Sequence, residues 1–468
     1  MENSDNFKPS GGQVAKFVLL SLLGIFLFLG PIPDGEGAFN IPMGIIIDWL
    51  NANIFSAVPI VTDTMGGAGT LDLRDLIALI AITLSLILTI LAWTVKPGFI
   101  ENNPKVKECF RVAPVYFITK VVAAVFIWMI FLQVGPPQII ASFTGDVIIT
   151  LVRALVTIFI VLIPLMTLVT DFGLMEFIGT LIRKAVRVLF TIPGRASVDL
   201  MASWFGSSVA SLLITRGQHE RGFYNDREAS VVAVNFSFVS LPFIFIVVST
   251  IGIREFFFPF LGITYLICFI LGIVMPRLPP LRGIRNDYLP EVGKQIQEEV
   301  PEGVSTVRCA LDSAYRAASK PTVGGIAKRA LNNWMDIFAN LLGCVMAWGT
   351  IGVMLAELTP VFTWIGMPFG LLLQLLQVPE AAAFAHTAVV GFIDMFLPAL
   401  MLGGAPVETQ FILGVLSIVQ IIYLAETGAL IIKSRMPLGV GKLAIIFVMR
   451  TVIAIPLVVL FTRLFVNF

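Results

Sequence analysis

Residues 193–242 read PGRASVDLMASWFGSSVASLLITRGQHERGFYNDREASVVAVNFSFVSLP, and the way this stretch must fold decides the architecture of the chain. It opens on a Pro-Gly-Arg break, continues through the small and apolar run 197–214, and ends in a basic patch with Arg216, Arg221 and Arg227. A membrane span needs about 20 apolar residues, and Lys and Arg prefer the cytoplasmic side. A run with arginines at both ends and Gly206 at its centre therefore predicts a re-entrant hairpin instead of a span. Arms of about nine residues, at ~1.5 Å per residue, reach roughly half-way across the hydrocarbon. Such a dip is tolerated only where protein or water surrounds it.

Composition agrees. The chain has 468 residues, 57% of them hydrophobic and 13% charged, with a mean hydropathy of +0.94, which is the profile of an all-α polytopic membrane protein. The basic residues sit in short loops between apolar runs and form no single face, which excludes nucleic acid as a partner. Cys109, Cys268, Cys309 and Cys344 are too scattered for a zinc site or a disulfide framework and read as packing residues.

Nine membrane helices are expected, at 17–30, 76–95, 112–134, 146–170, 229–251, 256–275, 334–355, 409–432 and 443–464. The first is read as a retained helix in preference to a cleaved signal peptide. Residues 34–75 hold six acids against one base, and 96–120 hold five bases, so the first segment is placed outside and the second inside. Residues 181–192 put Arg183, Lys184 and Arg187 on one side of an apolar helix, as for a helix lying in the interface. The chain then divides into N-terminal helices with an acidic outside loop (1–140), a first repeat (146–275), a basic cytoplasmic linker (276–330) and a second repeat (331–468). A multi-pass plasma-membrane (bacterial inner-membrane) protein with a cytoplasmic N-terminus is expected.

The repeat rests on a second broken region, WIGMPFGLLLQLLQVPEAAAFAHTAVVGFIDMF, beginning at Trp364. Like the stretch beginning at Phe177, it reads aromatic-Ile-Gly, then helix, Pro, and a run of small residues around a glycine, here Gly391. A glutamate follows each hairpin. Glu228, Ser237 and Ser240 then match Glu408, Ser417 and Gln420 without a gap. Alternating the spans from an inside N-terminus makes the two halves inverted, with the hairpins coming in from opposite faces, the plan of many secondary transporters.

The stretches PGRASVDLMASWFGSS, REASVVAVNFSFVS and VPEAAAFAHTAVVGFIDMFLPA resemble the Gate-domain (nucleoside-recognition) membrane proteins of the YjiH type. More distantly they are similar to the Gate segments of ferrous-iron transporters, spore maturation proteins and concentrative nucleoside transporters. The resemblance implies a transporter core. Departures are visible: Gly441-Lys442 is no P-loop, which excludes a GTPase in cis, and PGRASVD and PEAAAF replace the Gln/Ser-rich Glu motif of the nucleoside transporters.

Polar groups at membrane depth are expensive, and these supply the candidate site. Asn235, Ser237 and Ser240 lie just before Pro242, which can open the helix, and Ser417 and Gln420 are their counterparts. Asp199, His386 and Asp394 are ionisable groups within the hairpin runs; they are expected near the solute, with Arg195, Glu228, Glu408 and Glu426 in coupling or structural roles. Arg195 could pair with Asp199, four residues on. No enzyme signature is present: His219-Glu220 lacks a second histidine, Gly391 to Asp394 lacks the aspartyl-protease glycine, and Gly206-Ser207-Ser208-Val209-Ala210 is no nucleophile elbow. Secondary transport of a small polar or cationic solute, with H+ or Na+ as coupling ion and neither cofactor nor bound metal, is the expected function. The alternative is a non-transporting membrane partner on the same scaffold. Lipid, a second copy of the chain or a second Gate-domain protein are the macromolecular partners such a core would meet.

Overall fold

The computed structural model describes residues 9–33, 39–55, 60–62, 69–205, 208–294 and 305–468. Among these, 7 helices are long and apolar enough to cross a membrane: Gly11–Leu29, Leu73–Thr94, Pro114–Leu132, Ser142–Thr170, Arg254–Arg277, Val323–Leu355 and Val440–Phe465. They match seven of the nine expected spans. The other two, expected at 229–251 and 409–432, are each interrupted, as Asp226–Asn235 followed by Leu241–Ile251 and Val407–Val419 followed by short turns over 424–433. Strands among the described residues are limited to two small antiparallel or paired ribbons in the acidic N-terminal region. The fold is all-α and polytopic.

The chain forms two compact units. One holds residues 40–165 and 322–362. Here Asp72 caps the helix Leu73–Thr94, which packs against Pro114–Leu132. Polar groups cross-link the apolar faces: Arg153 donates to both oxygens of Asp75 at 2.6 and 2.7 Å, and Trp334 Nε1 donates to the Phe159 carbonyl at 2.9 Å. Buried Lys120 donates to the Cys109 carbonyl at 3.0 Å and to Thr89 Oγ1 at 3.2 Å. Cys109 packs with Ala92, Ile100, Phe110 and Ala339, and burial pushes its thiol up to about 11.

The other unit holds residues 1–39, 166–321 and 363–468 and contains both interrupted helices. Its amphipathic helix Leu174–Phe190 turns Gly179, Thr180, Val186 and Phe190 inward and leaves Lys184 and Arg187 exposed. This helix starts earlier than the charge spacing indicated, because the inward face continues through Leu174. Thr306–Ser319, inside the basic linker, packs on it and on Gly11–Leu29, with Phe17 between Phe177 and Tyr315 at ring distances of 5.7 and 5.6 Å.

Candidate functional site

The first interrupted helix starts with a capping box: the Asn225 side chain accepts from Glu228 N, and the Glu228 carboxylate accepts from Asn225 N. It ends at Asn235. The chain runs unwound through Phe236 to Ser240, and the helix resumes at Leu241, with Pro242 in its first turn, where a missing N–H does no harm. An aromatic cluster fills the break. Phe236 and Phe238 are buried and lie 4.8 Å from Phe190 and 6.1 Å from Trp204, and Trp204 lies 5.1 Å from Tyr265. Ser203 Oγ donates to the Phe238 carbonyl at 2.5 Å, joining the break to the helix Ala196–Phe205. Trp204 Nε1, Thr264 Oγ1 and Tyr265 Oη are buried without a hydrogen-bond partner among the described residues.

The second interrupted helix ends at Val419, and Ile421 takes a left-handed φ of 63°. Hydrogen bonds fill this break. Gln420 Nε2 donates to the Ala388 carbonyl at 2.7 Å and to Thr451 Oγ1 at 2.9 Å. The Tyr423 hydroxyl donates to the Ser417 and Ile418 carbonyls at 3.1 and 2.8 Å, and Tyr423 N donates to Thr427 Oγ1. Leu424 N donates to the Phe392 carbonyl at 2.9 Å. Gly391 sits so close that a Cβ there would lie 2.3 Å from Gln420 Oε1, itself buried without a partner.

Arg450, inside the helix Val440–Phe465, links the two breaks. Its Nη1 donates to Asn235 Oδ1 at 2.8 Å, and its Nε donates to the Val419 carbonyl at 2.5 Å. A lone charge at the helix centre costs ~2.5–3.5 kcal/mol or more. Sequence reading missed this residue, although a single arginine about 15 Å into an apolar span is itself the signal.

The structure gathers some sequence-predicted residues and separates others. Asn235 has both ends of its side chain engaged, since Nδ2 donates to the Val231 carbonyl at 3.1 Å. The hydroxyls of Ser237 and Ser417 bond back to the Ala233 and Gly414 carbonyls of their own helices, and Ser240 begins its helix without capping it. Asp199 is buried between the helices Ala196–Phe205 and Ser208–Glu220, where Oδ2 accepts from Thr215 Oγ1 at 2.8 Å and Tyr224 Oη at 3.1 Å. Arg195 lies near enough to act on Asp199 through its charge, but the two are not joined by an ion pair; the guanidinium stacks on Phe223 at 3.9 Å, a contact that the four-residue spacing did not reveal. Asp394 accepts from Phe396 N at 2.8 Å and so opens the short helix Leu397–Met401. His386 is half-buried, with its backbone against Gly366, where a Cβ would lie 2.9 Å from its Cα. Glu408 pairs with Arg463 at 2.9 Å. Glu426 falls in Leu424–Gly428 with its side chain outside the described residues, as is the expected tip at Gly206.

One local arrangement occurs twice. Thr191 and Gln377 are both left-handed, with φ of 58° and 57°, and each stands two residues before a proline, Pro193 or Pro379. An arginine from the end of a later helix holds each junction: Arg277 Nη2 donates to the Leu189 carbonyl at 3.2 Å, and Arg463 donates to the Leu376 and Gln377 carbonyls at 2.8 and 2.7 Å. Beside the first junction is a cavity of about 390 Å³, lined by Thr191, Asn225, Arg227, Glu228, Tyr288 and Lys294 among others.

Fold and site together define a polytopic membrane protein with two discontinuous helices, each bonded to a neighbouring segment of short helices. The Gate family, described as nucleoside recognition, matches residues 151–254, the stretch ending just after the first interrupted helix. An uncharacterised protein of Alkalihalophilus pseudofirmus is 39% identical over 453 residues, covering 96% of this chain and 94% of that protein. At that identity and coverage, the chain belongs to the same family as the Alkalihalophilus protein. No solved structure matches it.

Proposed function

We propose that the chain is a secondary transporter of the plasma membrane, of the YjiH type, which carries a small polar solute past the two helix breaks. One observation carries this reading: both helices open at polar residues, and each opening is bonded to the segment beside it, through Ser203 to the Phe238 carbonyl and through Gln420 to the Ala388 carbonyl. Discontinuous helices flanked by re-entrant segments at mid-depth are the binding architecture of many secondary transporters. The duplicated junctions at Thr191 and Gln377 support an inverted repeat spanning 146–275 and 331–468. In this reading 196–220 and 381–401 are the two re-entrant hairpins.

The solute is recognised by groups that the protein leaves without partners. Trp204 Nε1, Tyr265 Oη and Thr264 Oγ1 supply donors, Gln420 Oε1 supplies an acceptor, and the rings of Trp204, Phe236 and Phe238 offer flat faces. That combination suits a small solute with a planar polar part, so nucleosides belong in the screen with amino acids, dipeptides and metal ions. Thermal shift of purified protein against such a panel, followed by uptake into proteoliposomes, tests the reading. Gln420→Ala is expected to weaken binding of the solute found by about tenfold to a hundredfold, the range for losing one or two hydrogen bonds. Unchanged affinity in that variant would put the site elsewhere.

The N-terminus and 277–329 face the cytoplasm in this reading, and 34–75 face outside, from the charge asymmetry. In intact cells a single cysteine at position 60 is expected to react with an impermeant maleimide and one at position 310 to be protected. The reverse pattern would remove the inverted topology.

A further inference from the structure

Arg450 carries a positive charge into the buried core of its unit with no carboxylate ion-paired to it among the described residues. Among the described residues, the ionisable groups that act on it are the Cys268 thiol and the Tyr423 phenol. Its hydrogen bonds show what else meets the charge. Val419 is the last residue of Val407–Val419, and Asn235 is the last residue of Asp226–Asn235. The guanidinium thus meets a main-chain carbonyl at the C-terminal end of one half-helix and the side-chain oxygen of the last residue of the other. Each such end carries about half a negative elementary charge, so two of them balance roughly one cation. Unwound carbonyls and half-helix C-termini are where secondary transporters hold a coupling metal cation.

We infer that Arg450 is a tethered cation, occupying between the two half-helix ends the position that a coupling sodium ion takes in other transporters, so that the chain has no sodium site there. The inference rests on reading the two breaks as the transport site. It explains why Nη1 and Nε are directed at Asn235 Oδ1 and the Val419 carbonyl, both acceptors at half-helix ends. An arginine suits the position because its guanidinium stays protonated even when buried and its fork of donors reaches two acceptors at once.

The full-length purified protein tests this without any knowledge of the solute. Unfolding midpoints are measured in sodium chloride and in choline chloride at equal ionic strength, for the wild type, Arg450→Ala and Arg450→Lys. The wild type is expected to have the same midpoint in both salts. Arg450→Ala should unfold earlier and regain roughly 2–4 °C in sodium, or on adding low guanidinium chloride, relative to choline. Arg450→Lys, which keeps the charge, should stay insensitive to sodium. Stabilisation of the wild type by sodium overturns the inference, as does a folded Arg450→Ala protein that ignores both sodium and guanidinium. Should Arg450→Ala not fold, the wild-type and Arg450→Lys comparisons still decide. A screen in which no solute binds would count against the transport reading and leave the salt comparison unaltered.

Discussion

The two helix breaks differ in what holds them open. At the first, the exposed backbone of 236–240 is covered by rings from the break itself, from Phe190 and Trp204, and from Tyr265 and Phe269, while three polar atoms among the surrounding side chains have no partner. At the second, Gln420, Tyr423, Thr427, Arg450 and Thr451 form a nearly closed network. The same interruption is thus sealed by packing in one half and by hydrogen bonds in the other. The lesson is a division of labour: the break with uncommitted donors is suited to meet solute, and the break with engaged donors keeps the shape while offering the solute a single acceptor, Gln420 Oε1.

The largest effect that can break this comparison is at Phe236, which is fully buried between Phe190 and Phe238. Phe236→Ala is expected to lower stability by ~3–5 kcal/mol, read from the unfolding midpoint in detergent. A near-neutral result would mean that the aromatic cluster does not hold the first break. Next comes Tyr265→Phe. Because the Tyr265 hydroxyl has no partner among the described residues, its loss should leave stability unchanged or slightly higher, yet weaken solute binding by about tenfold. Tyr423→Phe should do the opposite, costing ~1–3 kcal/mol of stability because the Ser417 and Ile418 carbonyls lose their donor, with binding little altered. If the Tyr265 and Tyr423 variants behaved alike, the assignment of recognition to one half and shape to the other would fail. The smallest effect is expected for Ser237→Ala, whose hydroxyl only bonds back to Ala233; about 0.5 kcal/mol or less bounds it, by the same unfolding measurement.

Much of this was readable from residue order. Hydropathy located most of the seven uninterrupted helices to within a few residues, as 443–464 against Val440–Phe465 illustrates, but it missed the polar first turns of Gly11–Leu29 and Val323–Leu355, expected at 17–30 and 334–355. The interruption near Asn235 was legible too, since polar residues followed by a proline weaken a helix at a definite place. What the sequence hid was pairing. Asp199 could be seen as an ionisable group in an apolar run, but its partners Thr215 and Tyr224 lie far along the chain and only the packed helices bring them together. Tyr423 and Thr427 carry no signal of their role in the residue order, because a hydroxyl that caps carbonyls leaves no periodic trace. Arg450 is hidden for a different reason: it lies in a span outside both hairpins, and its acceptors at Asn235 and Val419 are distant in the chain.

The left-handed backbone at Ile421 has a consequence of its own. A β-branched residue in that region is sterically penalised, by ~1–3 kcal/mol, and holds there only because its neighbours over-determine it. The turn after Gln420 is therefore a loaded spring whose relaxed state is right-handed. Letting it go would rotate everything beyond residue 421 and pull Leu424 N away from the Phe392 carbonyl, which it now grips. Ile421→Gly should unload that spring yet lower the unfolding midpoint less than Ile421→Ala, which loses nearly the same buried side chain and keeps the strain.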